Sequence, residues 1–131
     1  MEEEHGRNHA EERRKLFAEK FVLCQPALSA VGDETRQHII RTLIEHCGEG
    51  GLRVGQIQRN TNISRTAVSH HLKILMEAGI ITVSRRGTMN FYYLDPASSS
   101  LKLVAELWRD AEEMMDVCLA KVKERTENEI I

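Results

Sequence analysis

Residues 61–79, which read TNISRTAVSHHLKILMEAG, carry the pattern that decides the fold. Ser64 is a residue type that caps helix N-termini, and Gly79 is a residue type that ends helices. Between these two, apolar side chains recur at i, i+4 and i+7 and form one narrow stripe: Val68, Leu72 and Leu75. The sequence therefore predicts an amphipathic helix over this stretch.

The opposite face of that helix is polar and contains no acidic residue; it consists of Thr66, Ser69, His70 and Lys73. Just before it, residues 54–60 (VGQIQRN) can form a shorter helix, and residues 61–63 make a tight connection. Two helices joined in this way form a helix-turn-helix, whose second helix enters the major groove of DNA. The pattern therefore favours a nucleic-acid partner.

Four short motifs extend this interpretation along the chain. They are Asp33-Glu34-Thr35-Arg36, the run from Ser64 to Leu75 with Val68-Ser69-His70-His71-Leu72 inside it, Arg86-Gly87, and Tyr92-Tyr93-Leu94. Together they resemble the ArsR/SmtB family of bacterial winged-helix transcription regulators over roughly residues 26–95. The resemblance implies a mainly α winged helix-turn-helix with a small β-hairpin, and a homodimer that represses transcription from a palindromic double-stranded DNA operator.

The predicted hairpin, or wing, consists of the β-rich runs 80–84 and 90–94 and the turn that joins them. Arg85 and Arg86 fall at its expected tip, where they would reach phosphate. The predicted phosphate contacts are Lys73, Arg85 and Arg86, and the predicted base contacts are Arg65, Thr66, Ser69 and His70. His71 lies near the inner edge of the helix, which indicates a structural hydrogen bond rather than a base contact.

The charge distribution agrees with this prediction although the net charge is -2. Residues 52–94 contain six basic residues and one acidic residue, whereas the rest of the chain contains twelve basic and nineteen acidic residues. Because the local field governs contact with phosphate, a basic segment in an acidic body is typical of a DNA-binding protein.

Two flanking helices complete the predicted organisation. We expect a disordered tail over residues 1–9 and one DNA-binding and dimerisation domain over residues 10–131, with helices at about 10–24 and 97–125. The long C-terminal helix has two apolar stripes, one for the core and one for a second subunit. The predicted dimer contacts are Phe17, Phe21, Leu101, Val104, Trp108, Ala111, Met115 and Cys118.

Other functions have weaker support. No cofactor motif or catalytic motif is present, so an enzyme is not expected. The metal sites usual in the family are absent, because residues 52–58 contain no cysteine and residues 101–131 contain no histidine. No metal ligands are therefore predicted, although a non-standard site formed by His5, His9, His38, His46 and Cys47 stays an alternative.

Two further alternatives are a thiol sensor that uses Cys24 and Cys118 and a winged-helix adaptor that binds protein. For the cysteines, small buried packing residues are the simpler interpretation. No apolar run is long enough to span a bilayer, and a cytoplasmic protein without a membrane partner is expected. The sequence does not specify the inducer.

Overall fold

The structure is a computed structural model that describes residues 2–130. Its elements are α1 (Glu2–Leu23), α2 (Gln25–Val31), α3 (Glu34–Glu45), α4 (Val54–Thr61), α5 (Arg65–Glu77), β1 (Thr82–Arg86), β2 (Met89–Tyr93) and α6 (Leu101–Ile130). The prediction of a mainly α winged helix-turn-helix with one hairpin is confirmed. The chain divides into two compact units, residues 25–102 and the pair of segments 2–24 and 103–130.

The unit of residues 25–102 has a core supplied by α3, α4, α5 and the segment that enters β1. Its fully buried side chains are Ile39, Ile57, Val68, Leu72, Leu75 and Ile80. The three from α5 are the residues of the stripe at i, i+4 and i+7, so the predicted inward face of this helix is confirmed. Asp33 caps the N-terminus of α3, because its carboxylate accepts a 2.9 Å hydrogen bond from the Arg36 amide.

The loop before α4 is joined to the wing by a short β-bridge. Leu52 and Tyr92 exchange two backbone hydrogen bonds of 2.8 Å. At the adjacent Gly51, φ is +95°, and an added Cβ would lie 3.0 Å from the Tyr92 carbonyl oxygen. Glycine is required there by both the left-handed backbone and the close approach of the strand.

The hairpin differs in detail from the predicted wing. β1 and β2 are antiparallel, with Thr82 opposite Tyr93 and Arg86 opposite Met89. The prediction that both arginines lie in the tip loop is wrong, because they are the last residues of β1 and only Gly87 and Thr88 form the turn. Consecutive strand residues point to opposite faces, so the two arginines lie on different sides of the wing.

Helix α6 begins at Leu101, four residues later than expected. The Asp95 carboxylate accepts hydrogen bonds from the Ala97 amide at 3.0 Å and the Ser98 hydroxyl at 2.9 Å, and these bonds close a turn in place of the first helical turn. The same bonds, with the Ala97 amide first, lower the pKa of Asp95. The hydroxyl of buried Ser99 then donates a 2.6 Å hydrogen bond to the Ile80 carbonyl, which ties the segment before α6 to the segment that follows α5.

In the second unit, the backbone of residues 2–9 is helical and continues into α1, which differs from the expected disordered tail. Met1 lies outside the described residues.

Helices α1 and α6 are antiparallel and are joined by ion pairs. Lys20 contacts Glu106 at 2.6 Å and Asp110 at 2.7 Å, and Arg13 contacts Glu113 at 3.0 Å. The hydrogen bond that Lys20 donates to Asp110, followed by the one that it donates to Glu106, raises the pKa of Lys20. Within the described residues, no helix has both the length and the apolar character needed to cross a bilayer.

Candidate nucleic-acid interface

The turn between α4 and α5 is set by two residues with opposite requirements. Asn62 ends α4 with φ of +54°, a left-handed conformation that asparagine tolerates better than most residues. The backbone of Ser64 is then extended, and its hydroxyl oxygen accepts a 3.1 Å hydrogen bond from the Ala67 amide. This cap fixes where α5 begins and hence which of its residues lie in the first turn.

The predicted outward face of α5 is exposed in the structure. Its members are Arg65, Thr66, Ser69, His70 and Lys73. The first turns of this helix supply an arginine, two hydroxyl groups and an imidazole, which are all groups that hydrogen-bond to base edges or phosphates. The structure thus brings the four predicted base-contacting residues and Lys73 onto one accessible surface.

Lys73 has an acidic neighbour on that surface. Its ammonium lies 4.0 Å from the Glu77 carboxylate, one turn later, and the side chains are 71% and 67% exposed. An exposed pair of this type is weak, so Lys73 can leave it for a phosphate at little cost.

The two wing arginines make different contacts. Arg85 donates from Nε to the Gly87 carbonyl at 3.2 Å, at the turn of the hairpin. Arg86 donates from Nη2 to the Gly50 carbonyl at 2.8 Å, and its guanidinium lies 4.4 Å from the centroid of the Phe91 ring. Arg86 therefore connects the wing to the loop before α4, which sequence reasoning missed because the contact spans 36 residues.

Hydrogen bonds of Arg36 join α5 to α2 and α3. The Arg36 guanidinium donates to the Ala30 carbonyl at 2.6 Å and to the Ser29 carbonyl at 3.1 Å, and its Nη1 lies 3.3 Å from Nδ1 of His71. The predicted structural role of His71 thus has a specific partner, one that spacing along a single helix cannot reveal.

The predicted dimer contacts are divided between different environments. Val104 is buried within the single chain, whereas Phe17, Leu101 and Ala111 are partly buried. The exposed members are Phe21, Trp108, Met115 and Cys118. Within the described part of α6, the buried apolar residues are Val104, Leu107 and Met114.

Exposed apolar residues extend farther along α6 than predicted. Trp108, Met115, Leu119 and Val122 are 54%, 62%, 52% and 59% exposed. At 100° per residue they fall within about 60° of one another on the helix. We call these four residues the exposed stripe.

The two proposed sensor thiols are not close to one another within one chain. Cys24 is buried, and its Sγ lies 4.0 Å from the Leu103 carbonyl oxygen. Cys118 is exposed and follows Leu103 by fifteen residues, which is about 22 Å along a helix. In the described part of the chain, no group of three His, Cys, Asp or Glu side chains is arranged to hold a metal ion.

Comparison with known proteins gives a consistent result. Residues 33–83 match the family described as bacterial regulatory protein, arsR family. An HTH-type transcriptional regulator of Methanocaldococcus jannaschii is 37% identical over 91 residues, which are 68% of this chain and 99% of that protein. The transcriptional repressor SdpR of Bacillus subtilis is 36% identical over 66 residues, which are 50% of this chain and 69% of that protein.

Among solved structures, an ArsR-like transcriptional regulator from Rhodococcus sp. RHA1 has a TM-score of 0.71 at 22% identity, covering 85% of this chain and 96% of that one. This likeness supports the fold. The sequence relatives support a DNA-binding transcriptional regulator and do not favour an enzyme, a protein-binding adaptor, or a metal- or thiol-responsive sensor with a non-standard site. The chain belongs to the ArsR family of transcriptional regulators.

Proposed function

We propose that this regulator is a dimeric cytoplasmic repressor that reads a palindromic operator through the first turns of α5. The observation that carries the proposal is the exposed face of that helix, where polar side chains stand without an acidic residue before Glu77. Arg65, Thr66, Ser69 and His70 contact base edges, because base contacts concentrate at the N-terminal end of a recognition helix.

Phosphate contacts fix the position of the helix on the duplex. Lys73 and Arg85 suit this role, because both are exposed and neither is bound to another structural element. Arg86 is assigned a mixed role, since its bond to Gly50 holds the wing while its exposed charge still contributes to the local field. Each phosphate contact adds to the salt dependence of binding without adding sequence preference.

A dimer supplies the second half of the operator contact. One recognition helix reads one half-site, and two must lie about one helical turn of DNA, roughly 34 Å, apart to read a palindrome. The exposed stripe of α6, together with Leu16 and Phe21 of α1, is the apolar surface that suits a second copy of this chain.

The test of base recognition is the double substitution Ser69→Ala and His70→Ala. Both side chains are exposed and make no contact with the core stripe of α5, so the variant should keep its fold and its assembly. We expect its affinity for a duplex selected by the wild-type protein to fall to the level for unrelated duplex, because the base-edge contacts are lost. Binding to both is measured by fluorescence anisotropy at one salt concentration.

A matched control is Arg85→Gln, which should weaken binding to selected and unrelated duplexes by a similar factor and reduce the salt slope by about one. Unchanged preference in the Ser69→Ala, His70→Ala variant would contradict the assignment of base contacts to this face.

A further inference from the structure

The contact between Arg36 and His71 has a chemical requirement that determines its behaviour. A guanidinium has N–H donors and no acceptor, so at 3.3 Å the Nδ1 atom of His71 must be the acceptor. An imidazole that accepts at Nδ1 is neutral and carries its proton on Nε2. The contact therefore exists only in the unprotonated state of His71.

The position of the contact gives it consequences for DNA recognition. Arg36 is fixed on its other side by the carbonyls of Ser29 and Ala30, so its guanidinium is a rigid donor rather than a mobile surface group. His71 follows His70, and the two rings have centroids 5.9 Å apart. A change at His71 thus acts on the turn of α5 that presents Ser69 and His70.

We propose that His71 is a positioning residue of the recognition helix that holds it in register only as a neutral imidazole accepting from Arg36. Protonation removes the acceptor lone pair and places a cation against the guanidinium. The orientation of α5 is then less restrained, and sequence preference falls while attraction to phosphate does not. This inference rests on the proposed base readout by α5.

Charged groups of both signs lie near His71. The Arg36 guanidinium of α3 repels an imidazolium, and the carboxylate of Asp33, the N-cap of α3, attracts one. Helix α2 has no titratable residue, and the one charged residue of α4, Arg59, is exposed and donates to the Gly55 carbonyl. The decisive change on protonation is therefore the loss of the hydrogen-bond acceptor.

Exposed His70 gives an effect of the opposite sign. Its protonation adds positive charge near DNA and should strengthen binding to any duplex as the pH falls. Because His70 is also a proposed base contact, the comparison of wild type with His71→Asn, in which His70 is unchanged, assigns a decrease in the ratio of selected-duplex to unrelated-duplex affinity to His71.

The experiment measures this ratio at pH 8 and pH 5.5, a range in which histidines titrate. The probes are a duplex selected from random sequence by the full-length protein at pH 8 and an unrelated duplex of equal length. The variant His71→Asn places an amide oxygen near the position of Nδ1 and cannot gain a proton, whereas His71→Leu has no acceptor.

We expect the ratio for the wild-type protein to fall about tenfold or more at pH 5.5, the effect of losing one hydrogen bond to a charged group. The His71→Asn ratio should stay nearly constant, and the His71→Leu ratio should be low at both pH values. An equal decrease in His71→Asn and wild type, or a full ratio for His71→Leu at pH 8, would overturn the proposal.

Two measurements keep the result decisive. Thermal unfolding identifies a variant that has lost its fold, and the comparison of His71→Asn with wild type stands without His71→Leu. Imidazole ¹⁵N NMR of the DNA-free protein should show the His71 proton on Nε2 at pH 8, and a proton on Nδ1 would refute the contact. A wild-type protein without preference at pH 8 would instead contradict the proposed base readout and leave the NMR result to decide on His71.

Discussion

Gly79 shows how one missing side chain can be essential to the end of a helix. Its φ is +75°, and an added Cβ would lie 2.5 Å from the Ser100 hydroxyl oxygen. Its carbonyl oxygen accepts a 2.8 Å hydrogen bond from the Ser100 amide, so the backbone of Gly79 cannot move away from Ser100 without losing that bond. A substitution here therefore meets both backbone strain and a steric conflict.

We expect Gly79→Ala to lower the free energy of unfolding by about 1–2 kcal/mol, the cost of a left-handed conformation for an L-residue. The matched variant Gly55→Ala should instead raise it by about 0.5–1 kcal/mol, because Gly55 lies in α4 with open space at its Cβ position. Denaturant unfolding of both variants measures the two changes. Equal effects of the same sign would contradict this account.

Residue-scale prediction succeeded where a role depends on local spacing. Ser64 was identified correctly as a cap and the outward residues of α5 as exposed groups, because cap chemistry and helical period are local properties. The partner of His71 and the partner of Arg86 were not identified. Each of those contacts joins residues about 35 positions apart, and no periodicity along one element encodes them.

At the scale of the element, substitutions at the start of α5 can change the affinity for DNA without changing the stability of the fold. The Ser64 hydroxyl accepts from the Ala67 amide, and an aspartate in its place would cap equally well while adding a negative charge. That charge would favour the helix N-terminus through the dipole and would repel the phosphates of bound DNA.

Ser64→Ala should therefore reduce the free energy of unfolding by about 1 kcal/mol. Ser64→Asp should leave it nearly unchanged and yet weaken binding to every duplex, most strongly at low salt. Thermal unfolding and anisotropy titrations at two salt concentrations measure these effects. If Ser64→Asp bound DNA as well as the wild-type protein does, the N-terminal end of α5 would not face phosphate.

For α6, the sequence pattern predicted the helix but not its first residue. Its start was placed four residues early because the helical pattern does not reveal that the Asp95 carboxylate accepts hydrogen bonds from Ala97 and Ser98 in a turn. Of the predicted dimer contacts on this helix, Val104 is buried within the single chain, whereas Trp108, Met115 and Cys118 are exposed. Adjacent stripes on one helix have the same period, so their burial depends on which neighbours pack there.

At the scale of the whole molecule, a single charged substitution in the exposed stripe of α6 tests whether this stripe forms the dimer. Leu119→Glu places a carboxylate in this stripe, where the side chain is 52% exposed, so the single chain should keep its fold. Leu103→Glu is the matched control, because Leu103 is 49% exposed but lies on another face of the helix.

We expect Leu119→Glu to raise the dimer dissociation constant at least tenfold, because burial of a leucine contributes about 1.5–3 kcal/mol. Leu103→Glu should change it little. Sedimentation equilibrium over a range of protein concentrations measures both constants. If the two variants dissociated equally, the proposed dimer surface would be wrong.

Trp108 also gives this protein a built-in optical signal. It is the one tryptophan in the chain, it is 54% exposed, and its indole meets the Phe21 ring edge-on at a centroid distance of 6.3 Å. Indole fluorescence moves to shorter wavelength when water is excluded from the ring. Emission from the unlabelled protein would therefore shift toward the blue as a second chain covers α6, and dilution of the sample would reverse the change.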